Sequence, residues 1–194
     1  MWYLLKCGGE ILLRWTPLAA EWYAWFVDAR TLIEKLGLKP LPIEGGYFVE
    51  TYRCDEVMPA SALDGRYGRD KALSTAIYYL LTPESVSLMH RLRSDEVFHF
   101  YAGDPVDMLQ LMPDGLHARV LIGSDIEAGQ TPQVVVPRGV WQGCRLMTGG
   151  RWALMGTTVA PAFDYGDYES GDRDELISHY PDCANLIRIL TSSC

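Results

Sequence analysis

The stretch SLMHRLRSDEVFHFYAGD, residues 87–104, carries an imidazole at His90, a carboxylate at Glu96 and a glycine at Gly103. Farther along, PRGVWQ (137–142) ends on an amide, Gln142. These three polar side chains support two chemistries. As metal donors they fall short of a full set on their own, since a zinc site uses three or four N, S or O ligands at about 2.0–2.3 Å. Gln142 would add only a neutral carbonyl oxygen, a weaker donor suited to hard ions. Without a metal, His90 and Glu96 are an acid–base pair. A carboxyl in an apolar pocket has a raised pKa, a nearby imidazolium lowers it, and the two together can exchange protons near neutral pH. The same residues can also form a satisfied buried hydrogen-bond network with no catalytic task.

Alternation along a strand puts Phe98 and Phe100 on the face of Glu96, and Val97, His99 and Tyr101 on the other. An acid, an imidazole and an amide among aromatics make a cleft for a small polar molecule. His99 is then expected in packing or at a subunit interface. Glu44 precedes Gly45 and Gly46, a pair suited to a turn with positive φ; Glu44 would reach a ligand or cap that turn. Arg53 and Arg91 are candidate anion contacts, or ion-pair partners for Asp95 and Asp104. Tyr47, Tyr79 and Trp141 are expected in the cavity or a dimer seam, and His117 and His179 at the surface.

The elements that must position these residues are mostly short. From residue 45 onward, apolar runs broken by Gly, Pro and Asp predict strands over 46–53, 74–82, 86–92, 96–103, 106–113, 117–123, 132–139, 140–147 and 151–160. Asp114–Gly115 is a hairpin turn signal, and residues 55–72 read as a long loop over one mouth of a barrel. Thr16–Pro17 starts and Gly37 with Pro40 stops a helix, with Leu18, Trp22, Trp25, Ala29, Leu32 and Leu36 on one apolar face. In the tail, Asp172 caps a short helix that Pro181 interrupts.

Composition narrows the function classes. The chain has 194 residues, 48% of them hydrophobic, and a net charge of −8, with no basic run to follow a nucleic acid. The acidic balance disfavours anionic membranes, and no apolar stretch reaches the length of a membrane span. MWYLLKCGGEILLRW is interrupted by charges and glycines, so no signal peptide is expected. Five scattered cysteines, Cys7, Cys54, Cys144, Cys183 and Cys194, form no paired motif and read as reduced thiols of a cytoplasmic protein. Of these Cys144 has the best claim to a nucleophilic role.

His90, Glu96 and Gly103 resemble the first motif of the cupin superfamily, in which a His-x-His pair precedes Glu and Gly; Leu92 stands where the second histidine would be. Pro137 and Gly139 match the second motif, with Gln142 at its histidine. More widely, PLPIEGGYFVETYR, STAIYYLLTPES, HRLRSDEVFHFYAGDPVDMLQL, PQVVVPRGVWQG and GTTVAPAFDYGDYE, in this order, resemble the DUF985 (Cupin_5) family from about Thr31 to the C-terminus. The resemblance implies an all-β double-stranded β-helix, a jelly-roll barrel spanning 31–194 behind a helical extension of residues 1–30, and a homodimer. Members carry the label of sugar epimerases. It also implies four metal ligands, of which this chain keeps His90 and Glu96, so a divalent metal, if bound, would be held by His90, Glu96 and Gln142. The metal-free reading is preferred: an isomerase or epimerase with no cofactor, His90 and Glu96 its acid–base partners and Gln142 orienting the substrate. The competitors are a metal-dependent dioxygenase or hydrolase and a non-catalytic binding or sensor module.

Overall fold

The computed structural model describes Tyr3–Cys7, Glu10–Arg14 and residues 27–191. Its strands are β1 (Tyr3–Cys7), β2 (Glu10–Arg14), β3 (Lys39–Pro40), β4 (Tyr47–Arg53), β5 (Val57–Met58), β6 (Lys71–Ala72), β7 (Thr75–Leu81) and β8 (Val86–Leu92). There follow β9 (Asp95–Gly103), β10 (Val106–Leu111), β11 (His117–Ile122), β12 (Gln133–Val136), β13 (Trp141–Leu146), β14 (Ala153–Ala160) and β15 (Tyr168–Ser170). Helices α1 (Ala29–Leu36), α2 (Arg173–His179) and α3 (Ala184–Ile189) flank them.

Two antiparallel sheets face each other. One has five strands in the order β11-β10-β13-β8-β15, the other six in the order β12-β9-β14-β7-β4-β3. This is the double-stranded β-helix expected from the sequence. Between the sheets lies a core that includes Tyr79, Phe98, Met108, Val136, Cys144 and Met155. β10 is buried along its whole length, because both its faces are covered: Met108 points into that core while Leu109 and Leu111 pack under α2 and α3 with Leu176 and Ile187. On the outer face of the six-stranded sheet, Leu32, Ile33 and Leu36 of α1 pack on Leu80 and Trp152.

The helix expected from Thr16 to Leu36 differs. Residues 15–26 lie outside the described residues, and the helix seen starts afresh at Ala29. Asp28 is extended, and its carboxylate accepts a hydrogen bond from the Thr31 backbone N at 2.7 Å, a cap that marks a first turn. The expected boundary between residues 30 and 31 therefore falls inside α1. Ahead of it β1 and β2 form a hairpin pairing Tyr3 with Arg14 and Cys7 with Glu10. The stretch expected to be a loop, 55–72, carries the small ladder β5–β6. In the tail, the Asp172 side chain accepts from Glu175 N as a cap, and Pro181 opens a 3-10 turn between α2 and α3. No helix among the described residues is long and apolar enough to cross a membrane.

Candidate functional site

Two β-bulges aim the polar side chains inward. On β8, Gln142 pairs with His90 but Cys144 pairs with Ser87, so β8 carries one residue more than β13 over this span. An extra residue shifts the alternation, which lets both Ser87 and His90 reach the interior while Met89 turns out to the C-terminal helices. Gly143 sits opposite the bulge, where an added Cβ would stand 2.8 Å from Met89 Sδ and 3.0 Å from Ser87 O. On β4, Thr51 is the extra residue between Glu50 and Tyr52. Phe48, Glu50 and then Arg53 consequently line the same cavity.

That cavity lies between the sheets and has a volume of about 130 Å³, close to the roughly 150 Å³ that admits a benzene-sized molecule. Leu41, Ile43, Phe48, Ile77, Leu92, Val159 and Phe163 form its apolar wall; His90, Glu96, Glu44, Thr157 and Thr75 supply polar groups. Glu50, Arg53, Asp164 and Tyr165 complete the lining. Arg53 donates to both Glu50 oxygens, at 3.1 and 2.8 Å, and to the Phe163 carbonyl at 3.2 Å.

Gln142 stands behind the cavity wall and ties the two sheets. Its Nε2 donates to Glu96 Oε2 at 2.6 Å and lies 3.3 Å from His90 Nε2. His90 Nδ1 is 2.7 Å from the Leu88 carbonyl. A carbonyl only accepts, so Nδ1 carries a proton, and Nε2 faces the Gln142 amide N–H as an acceptor. Glu44 Oε2 is 3.9 Å from that Nε2, and Ser87 Oγ donates to Glu44 Oε1 at 2.8 Å. The Tyr168 ring stacks on the imidazole, 4.9 Å between centroids at 17°, and its hydroxyl donates to the Ile43 carbonyl.

Burial pushes the Glu96 carboxyl above its ordinary value, and the Glu44 charge pushes it further; His90 and the hydrogen bonds from Thr157 and Gln142 pull it back. Burial also raises the Tyr168 phenol, with Glu44 again second. Cys144 is buried in the core, and burial holds its thiol well above the usual value. It therefore stays protonated, which removes the basis for a nucleophilic role.

Of the residues singled out from the sequence, His90, Glu96, Glu44 and Arg53 line the cavity and Gln142 touches two of them. Phe98 and Phe100 face inward as alternation requires, but they belong to the packed core and not to the cavity lining. Tyr47 is a correction: one position off Phe48, it faces α1 and packs around Leu80 and Trp152. Arg91 is another. Neighbouring His90 on a strand, it points to the opposite side, where it forms a bidentate pair with Glu169 and lies over Trp141 at 4.4 Å. Tyr79 is buried with its hydroxyl donating to the Gly45 carbonyl at 3.0 Å. His99 sits on the outer side, 3.2 Å from both Thr158 Oγ1 and Gln133 Nε2. Glu50, Thr75, Thr157, Asp164 and Tyr168 were not anticipated, although Thr157 is the inward partner of Phe98 and alternation on 151–160 could have found it.

The donor set does not fit a four-ligand metal centre. Leu92 lines the cavity where the cupin pattern has its second histidine. The Gln142 atom that faces His90 and Glu96 is the amide nitrogen, which cannot ligate, while its oxygen is buried without a partner. Among the described residues no three His, Cys, Asp or Glu side chains converge as metal ligands do.

The sequence model of the Cupin_5 family, described as Cupin superfamily (DUF985), matches residues 30–171. An uncharacterized protein of Saccharomyces cerevisiae, YML079W, is 29% identical over 144 residues, covering 70% of this chain and 72% of that protein. A hypothetical protein from Leishmania major superposes with a TM-score of 0.77 at 31% identity, covering 86% of this chain and 100% of its own. Protein SO0799 from Shewanella oneidensis superposes at 0.76 with 30% identity, covering 87% and 100% respectively.

Proposed function

The chain belongs to the DUF985 family of the cupin superfamily, and from that membership and the cavity geometry we propose that it binds a small polar molecule between its sheets and isomerises or epimerises it by proton transfer. One observation carries this reading. Glu96, its carboxyl biased toward the protonated form, and His90, with a lone pair at Nε2, flank one small cavity and share a single amide donor.

The step suits a hydroxy-carbonyl compound. The ligand displaces the 3.3 Å contact between Gln142 and His90 Nε2; the freed lone pair takes the proton from the carbon beside the carbonyl, and the electron pair of that C–H bond forms a C=C bond. The carbonyl oxygen receives the proton of Glu96, leaving an enol, an imidazolium and a carboxylate. The imidazolium returns its proton to the neighbouring carbon, giving an isomer; an epimer forms when the enol first turns its other face to the same imidazolium. Glu96 regains a proton from the enol hydroxyl as the carbonyl re-forms. Gln142 holds Glu96 in place, the Leu88 carbonyl holds His90 through Nδ1, and the dry wall keeps the intermediate from solvent. No step uses a metal.

Proton exchange tests this directly. Small hydroxyaldehydes and hydroxyketones are incubated with the protein in D2O, and loss of the C–H signal beside the carbonyl is followed by NMR. The reading expects catalysed exchange that His90→Ala and Glu96→Gln abolish. Exchange that persists in both variants overturns it. A second reading, a binding module without turnover, is favoured by the fact that Gln142 already satisfies both groups at rest; saturable binding of an unchanged ligand with no exchange would establish it.

A further inference from the structure

Outside the cavity, Arg66, Arg91, Arg93 and Arg138 line one recess of about 270 Å³, together with Asp167 and Glu169. We propose that this recess is a second ligand site, built for a phosphate-bearing small anion. In a chain of net charge −8, two of these guanidinium groups already have a carboxylate, Arg91 with Glu169 and Arg66 with Asp64, while Arg93 and Arg138 face the recess with none among the described residues. The two acidic groups of the recess are already engaged. Glu169 is held by both Arg91 nitrogens at 2.9 and 2.7 Å. Asp167 pairs with Arg69 at 3.0 Å and with Lys71.

The arginines are positioned in advance. Arg66 Nε donates to the Arg93 carbonyl at 3.1 Å, and Arg93 Nη1 donates back to the Arg66 carbonyl at 2.8 Å. Asp64 and the Tyr67 hydroxyl fix the rest of the Arg66 fork. The Arg138 backbone N donates to Asp95 Oδ1 at 2.8 Å, which places the residue at the rim. Its guanidinium has no hydrogen bond or ion pair among the described residues; Asp64 feels its charge, yet Asp64 pairs with Arg66. Arg93 likewise has no carboxylate partner there. Planar forks of this kind match phosphate oxygens two at a time. Leu92 lines both the recess and the central cavity, so the two adjoin, and the recess does not depend on the chemistry proposed for His90 and Glu96.

Calorimetry on the full chain at low ionic strength tests the site, with inorganic phosphate in one arm and glycerol phosphate in the other, to separate free phosphate from an ester. Saturable binding is expected in at least one arm. It should weaken about tenfold in Arg138→Gln and again in the double variant Arg93→Gln/Arg138→Gln, as loss of a charged hydrogen bond implies. His90→Ala should bind as wild type does. No saturable heat in either arm, equal affinity in Arg138→Gln, or equal displacement by chloride at matched ionic strength would each overturn the proposal. Arg138 supports nothing else through its side chain, so its loss leaves the fold intact, as circular dichroism should verify.

Discussion

Glu96 and His90 come from facing sheets and meet through one nitrogen, Nε2 of Gln142, 2.6 Å from the carboxylate and 3.3 Å from the imidazole. The amide spends both of its hydrogens on them. Whatever enters the cavity thus finds the pair already oriented, the carboxyl on one wall and the imidazole on the other.

Replacing either member should remove function while the barrel persists. His90→Ala and Glu96→Gln are each expected to lower turnover, or ligand affinity if the protein only binds, by about 100-fold or more, the range set for a positioned acid or base. Kinetics or calorimetry gives the loss, and far-UV circular dichroism checks the fold. Wild-type behaviour in both variants would remove the pair from any role.

Glu96 also makes stability depend on pH. Its folded pKa is raised above the ordinary 4.5, so above that pH the folded state retains a proton that the unfolded chain releases. The contribution is complete below about pH 4.5 and is lost as pH rises through the folded value. The melting temperature of wild type minus that of Glu96→Gln should therefore fall as pH increases from 4.5 upward. A difference that stays flat or climbs contradicts the burial argument.

Lys71 has a fully buried side chain between Asp164 at 2.5 Å and the equally buried Asp167. Lys71→Met leaves the Asp167 charge with Arg69 alone and is expected to cost about 3 kcal/mol, as breaking a buried pair does. Urea denaturation measures it. Lys71→Met/Asp167→Asn should recover part of the loss. A cost below about 0.5 kcal/mol, typical of an exposed position, would show that the cluster carries no load.

The missing histidines can be put back. Leu92→His/Gln142→His would offer imidazoles beside His90 and Glu96 in the arrangement of the cupin motifs. The double variant should gain a stoichiometric Co²⁺ visible spectrum that the wild type lacks at the same concentration. Equal spectra for the two proteins would mean that these positions do not decide metal binding.

Much of this architecture is legible in the sequence. Strands from 47 to 160 are punctuated by Gly, Pro and Asp, and the alternation from Glu96 correctly separates Phe98 from His99. Short pieces escape: β3 and β15 have two and three residues, too few to show a period. The Gly8–Gly9 pair is a hairpin signal, but the runs on either side, YLLKC and EILLR, carry no clean apolar–polar alternation. Site residues are harder, because bulges shift the alternation. Arg53 enters the cavity only because Thr51 is an extra residue, and nothing in YFVETYR announces that shift. Arg91 and Tyr47 show the converse, each adjacent to a cavity residue and each turned away from it. Asp164 and Tyr168 reach the site from a segment with no regular period at all.

The short strand β15 does more than bring Tyr168 to the imidazole. It pairs Tyr168, Glu169 and Ser170 with Leu92, Arg91 and His90, and so occupies the outer hydrogen-bonding side of β8. A chain cut after Pro161 would leave that row of amides and carbonyls as a template for strands of other copies. The strand that holds His90 would then seed aggregates, so β15 shields the edge of the strand on which the proposed chemistry rests.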